Sequence, residues 1–139
     1  MQYYIITDHA ENGDLRRYLH ENPKLSWRDR LYMVCDISFD LDRIHKAGFI
    51  HRDIHAGNIL HTSKISHFEN EVRVHNGVAY ISDFGLSMAA RHSHNTEEIY
   101  GVMPYITSEV LNEKNHSMES DVYIVGACEW ENTICTHLS

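Results

Sequence analysis

Apolar positions along the chain gather into a few separated stretches, and their spacing predicts the elements. Residues 2–7, QYYIIT, are aromatic and β-branched and predict a short strand. DHAENGD breaks that pattern as a polar connector, and LRRYLHEN (15–22) predicts a short helix that stops before Pro23. The strongest periodicity begins after Ser26, which suits an N-cap, with Asp29 three residues on. Leu31, Val34, Ile37, Leu41 and Ile44 recur at steps of three and four and predict one apolar stripe. His45 and Lys46 suit the negative end of the helix dipole, and Gly48 suits a left-handed cap.

Further on the pattern is less regular. Residues 61–71, HTSKISHFENE, are polar and predict a loop. VRV (72–74) and VAYIS (78–82) flank His75-Asn76-Gly77, a strong signal for a hairpin between two strands. Residues 83–108 keep no period and predict a long ordered loop. Residues 118–137, with Val122, Val125, Cys128 and Trp130 near the middle, predict a buried helix. No repeat or low-complexity linker divides the 139 residues, so one domain is expected, able to bury roughly 70% of its unfolded surface.

Composition narrows the class. Hydrophobic residues are 42% and charged residues 23%, a globular balance. A formal net charge of −8 argues against nucleic acid or an anionic membrane surface as the main partner. Three cysteines without a CxxC argue against a disulfide framework or a zinc ribbon. No run of about 18 apolar residues is present to span a membrane. The N-terminus has no basic start followed by an apolar core, so a cytoplasmic protein is expected.

The candidate chemistry lies in HRDIHAGNIL, residues 51–60. His51 and His55 are spaced i, i+4, as zinc ligands are on a helix. Asp53, Gly57 and Asn58 are poor helix formers, however, and a third ligand at a sensible spacing is missing. Asp83-Phe84-Gly85 after a predicted strand changes the picture, as do GVMPY (101–105), Glu109 and SDVYIVG (120–126).

In that order these segments resemble a protein kinase domain along essentially the whole chain. Pro104, and the lack of Lys two places after Asp53, resemble the tyrosine-kinase-like branch. The resemblance implies an α+β, mainly α, fold: a kinase large lobe running from hinge to the helix after the activation segment, a partial kinase domain over residues 1–139. It implies ATP and Mg2+ as cofactors, phosphoryl transfer to Ser/Thr or Tyr of a protein substrate, and these residue roles. Asp53 would accept or orient the substrate hydroxyl; Asn58 and Asp83 would hold magnesium; His55 stands where many kinases place a cation for the γ-phosphate. Thr7, Asp8 and Ala10 would belong to the adenine-binding hinge, with Thr7 as gatekeeper. Asp14 would reach the ribose, and Leu60 would floor the adenine pocket. His51 and Phe84 would stack in a spine, and Arg52 would answer a phosphate on the 86–106 segment, where Ser87, Ser93, Thr96 and Tyr100 are the candidates. Asp121 would tie its helix to the catalytic-loop backbone.

The chain also departs from the pattern. A Gly-rich loop, a phosphate-gripping Lys and its Glu partner have no counterpart in it, and Thr107-Ser108-Glu109 replaces Ala-Pro-Glu. Asp40 lies mid-helix where a small residue is usual, so its charge must reach solvent or find a partner. Missing donors cost about 10²–10³ in rate each, so these residues alone are expected to be inactive. The alternatives are a non-catalytic module whose exposed lobe surface a partner chain covers, and the unstable product of an incomplete gene.

Overall fold

The computed structural model describes residues 9–63, 66–68, 71–73, 77–90 and 116–134. The expected strand at 2–7, Thr7 and Asp8 lie outside the described residues, as do Arg91, Pro104, Glu109 and the hydroxyls of 93, 96 and 100. Helix α1 (Leu15–Glu21) starts at Asp14, whose carboxylate accepts the Arg17 N–H at 3.0 Å. Its inner face buries Leu15 and Leu19. Helix α2 (Trp27–Lys46) starts at Ser26, whose hydroxyl oxygen accepts the Asp29 N–H at 3.2 Å and donates to the Asp29 carboxylate at 2.6 Å. Gly48 ends it with φ of +81° and an N–H to the His45 carbonyl, a conformation that favours glycine.

The buried face of α2 differs from the expected stripe. Met33, Ile37 and Leu41 turn inward with Arg30 and Asp36, whereas Leu31 is half exposed. The reason is the helix's second partner, a strand edge that draws polar groups into the interface. Asp36 accepts the Ala79 N–H at 3.2 Å and Asp40 accepts the Ile81 N–H at 3.1 Å. These two carboxylates, one turn apart, satisfy strand donors that would otherwise be stranded against a helix. Burial pushes the Asp40 carboxyl above the usual carboxylate range, while the Ile81 N–H and Arg43 oppose the rise.

The strands form three antiparallel pairs. β1 (Phe49–Ile50) pairs with β6 (Met88–Ala89), and β2 (Ile59–Thr62) pairs with β5 (Val78–Ile81). β3 (Ser66–Phe68) pairs with β4 (Glu71–Arg73). The hairpin expected between 72–74 and 78–82 is therefore not formed: β4 turns back on β3, and β5 joins β2 instead. Gly77 explains the misleading signal. Its φ is +102°, and a Cβ there would overlap the Thr62 carbonyl oxygen and press on His61. Glycine is needed for a close pass against β2, not for a two-residue turn. Residues 61–71, expected as loop, contribute strand at both ends. The stretch after Asp83, expected without elements, holds the short helix Phe84–Leu86 and β6. Two-residue strands pairing across 38 and 40 positions leave no local period to read.

Helix α3 (Met118–Ile134) closes the described fold. Ser120, Asp121, Ile124 and Val125 face inward, whereas Val122 and Tyr123 are exposed, so over residues 118–127 one side of the expected buried helix is covered. The core joins Leu15 and Leu19 of α1, Met33, Ile37 and Leu41 of α2, Ile59, Ala79 and Ile81 of the β2–β5 ladder, and Ile124 and Val125 of α3. A two-stranded ladder is marginal alone; here α2 packs across β5 and α1 across β2. No helix among the described residues is long and apolar enough to cross a membrane.

Candidate active site

Residues 53, 58 and 83 lie near one end of the β2–β5 ladder. Ile59 opposes Ile81 in the register, so Asn58 and Ser82 are next in line. The Ser82 N–H and hydroxyl both donate to the Asn58 carbonyl, each at 2.8 Å. Asp83 follows directly. Asp53 reaches the same place from the loop before β2: Asn58 Nδ2 donates to the Asp53 carboxylate oxygen Oδ2 and to its backbone carbonyl, each at 2.9 Å.

The loop that carries Asp53 is braced from below. Asp121, fully buried on α3, accepts the His51 N–H at 2.8 Å and the Arg52 N–H at 3.0 Å, and His45 Nε2 lies 3.0 Å from it. Arg52 sits at φ of +74°, left-handed backbone that a non-glycine residue adopts only when its surroundings hold it. The two amides clamped by Asp121 provide that hold. His51 is buried, and its Nε2 lies 3.1 Å from the Ser82 carbonyl, so that nitrogen carries the proton. Burial lowers the His51 pKa, against the pull of Ser82, Asp121, Asp53 and Asp83, and the ring stays neutral. Its ring meets Phe84 edge-on at 5.1 Å between centroids. The residues expected as a spine are in contact. With residues 51–58 non-helical, the i, i+4 zinc geometry is not formed.

Asp83 is exposed, with φ of +61°, and its Oδ1 accepts the Gly85 N–H at 3.2 Å. A Cβ on Gly85 would come within 3.1 Å of that oxygen, so glycine leaves the carboxylate its seat. Asn58 uses its amide nitrogen on Asp53, so its amide oxygen is not the atom engaged there. An amide oxygen and an exposed carboxylate are hard donors of the kind magnesium takes, and magnesium needs few protein ligands. The donor set therefore fits a magnesium ion. His55 lies beside Asp53, with Nε2 at 3.7 Å from Oδ1. Leu60, half-buried on β2, is bridged to Asp14 through the backbone. Asp14 is engaged as the α1 cap, and the Ala10 carbonyl accepts the Gly13 N–H in the preceding turn. Asp14 and Leu60 thus lie together.

The chain is similar to known proteins along nearly its whole length. Residues 1–137 match the family model for protein tyrosine and serine/threonine kinases. The chain belongs to the protein kinase family. It is 31% identical over 133 residues to the serine/threonine/tyrosine-protein kinase HT1 of Arabidopsis thaliana, covering 94% of this chain and 31% of that protein. It is 30% identical over 128 residues to the probable serine/threonine-protein kinase gdt2 of Dictyostelium discoideum, covering 91% of this chain and 7% of that protein. The chain thus spans less than a third of the length of these relatives. Within this kinase chain the sequence pattern did not reveal Ser82 as the link between the two loops, nor the paired Asp36 and Asp40 under β5. Asp40 was visible only as a charge in need of a partner.

Proposed function

We propose that these residues are the catalytic-loop and metal-loop part of a kinase large lobe, of the tyrosine-kinase-like branch. The reaction is transfer of the γ-phosphoryl of Mg2+–ATP to a hydroxyl of a protein substrate. The observation that carries the reading is the direct Asp53–Asn58 hydrogen bond, with Asn58 joined in turn to the residue before Asp83. GVMPY, and histidine rather than lysine at position 55, support the branch.

Asp53 orients the acceptor hydroxyl and takes its proton. The Asn58 amide oxygen and the Asp83 carboxylate would hold magnesium, which when bound neutralises phosphate charge as it is redistributed in transfer. Leu60 floors the adenine, Asp14 lies at the ribose side, and the hinge is the segment Thr7, Asp8 and Ala10. Arg52 awaits a phosphate on the activation segment. These 139 residues contain no Gly-rich loop and no strand Lys for the α and β phosphates. By themselves they are expected to bind nucleotide weakly and turn over slowly, since each lost donor costs about 10²–10³ in rate.

Thermal melts test the binding half of this reading. Millimolar Mg2+–ATP is expected to raise the melting temperature, because a ligand that binds only the folded state stabilises it. Asp83→Asn is expected to remove most of that rise. An equal rise in wild type and variant would count against Asp83 as a metal ligand. Phosphate transfer to a synthetic peptide carrying Ser, Thr and Tyr, measured with and without magnesium, tests the chemical half.

A further inference from the structure

His55 is held in a way that a lysine could not be. The Gly57 N–H donates to His55 Nδ1 at 3.1 Å. A nitrogen that accepts a hydrogen bond carries no proton, so in the neutral ring the proton lies on Nε2. A Cβ at position 57 would lie 3.0 Å from both Nδ1 and Cε1 of that ring, tighter than ordinary contact. Glycine is thus what lets the imidazole lie back over its own turn. The ring is largely buried, with 18% of its side chain exposed, and Nε2 lies 3.7 Å from Asp53 Oδ1.

That distance is too long for a direct hydrogen bond. The other carboxylate oxygen, Oδ2, is taken by Asn58 at 2.9 Å. Oδ1 is therefore the oxygen left to meet substrate, with His55 Nε2 3.7 Å away. A hydroxyl oxygen placed about 2.8 Å from both atoms fits this separation. It would donate its proton toward Oδ1 and accept the Nε2–H.

We propose that Asp53 Oδ1 and the Gly57-locked Nε2–H of His55 form a two-point seat for the acceptor hydroxyl. This rests on the reading of Asp53 as the hydroxyl-directing carboxylate. A lysine ammonium there would offer three rotatable donors and a fixed charge. The locked imidazole offers one donor in one direction, so it specifies where the hydroxyl's lone pair lies.

Nitrogen-15 spectra of the labelled chain at neutral pH test the lock without any need for activity. The expected result is an unprotonated Nδ1 and a protonated Nε2 on His55. A proton on Nδ1, or an even mixture, overturns the proposal. Gly57→Ala is expected to displace the ring and shift the mixture toward Nδ1–H; a spectrum unchanged in this variant also overturns it. Transfer to the Ser-, Thr- and Tyr-containing peptide tests the seat. His55→Gln, which keeps an N–H near the Nε2 position, is expected to lose little, and His55→Phe roughly thirtyfold, within the range for outer-shell partners of a site. Equal losses in the two variants contradict the seat. Absence of transfer in the wild-type chain agrees with the missing donors for the α and β phosphates; the spectra then decide, and a His55 proton on Nδ1 overturns the seat together with the lock.

Discussion

Two loops meet at this site, and they are built in opposite ways. The loop 51–58 is buried and cross-braced: Asp121 holds two of its amides, His51 reaches the Ser82 carbonyl, and Asn58 ties Asp53 in place. The turn 83–86 is largely exposed and is closed by hydrogen bonds from Gly85 to Asp83 and from Ser87 to Phe84. Both contain a non-glycine residue in left-handed backbone, Arg52 at +74° and Asp83 at +61°. In one case the strain is held by a buried carboxylate from another helix, in the other by the residue's own side chain. The difference teaches a division of labour. The loop proposed to carry the base is set by the core, whereas the turn proposed to carry the metal ligand is set locally.

The largest expected effect is on the braced loop. Asp121→Ala leaves two buried amides and His45 without their acceptor, and is expected to destabilise by about 3–5 kcal/mol. Chemical denaturation would measure it, and a loss below about 1 kcal/mol would remove the brace from the account.

The second effect is on pH. Burial holds the His51 and His116 imidazoles below their ordinary value of 6.5, and neither His116 nitrogen has a hydrogen-bond partner among the described residues. The unfolded chain takes up protons there first. Stability is therefore full above about pH 6.5 and falls below it, by up to about 1.4 kcal/mol per pH unit for each imidazole kept neutral. Asp40 acts in the opposite sense at lower pH, because its raised pKa makes the folded state the better proton binder. Melts at pH 7 and pH 5 that coincide would contradict the buried neutral histidines.

The smallest effect sharpens the contrast. Asp83→Gly relieves left-handed strain but loses the bond to Gly85, and the site is exposed, so stability is expected to change by less than about 1 kcal/mol. The same substitution is expected to abolish the response to Mg2+–ATP. A loss beyond about 2 kcal/mol would mean that the turn carries the fold as much as the loop does.

Much of this contrast was legible in the sequence. Ser26, Asp29 and Gly48 announced α2 through capping chemistry that acts within a few residues. HRD, the following Asn and the DFG triplet pointed to the kinase family, and the family match over residues 1–137 bears that out. What was hidden lay in pairings across long separations. Asn76-Gly77 read as a turn because a local pattern cannot report that Gly77 passes against Thr62. Leu31 read as core because spacing alone cannot report that Arg30 and Asp36 take part in the buried face. Asp40 read as an anomaly because its partner, the Ile81 N–H, lies 41 residues away.

The central claim is that Asp53, Asn58 and Asp83 share one cation–nucleotide site. Its most direct test is line broadening of backbone amides by Mn2+–ATP, with manganese standing in for magnesium. The account predicts strong broadening at Asn58, Asp83 and Gly85, lost in Asp83→Asn, with Leu19 of α1 and Met33 of α2 little affected. Broadening centred elsewhere, or unchanged in the variant, would contradict it.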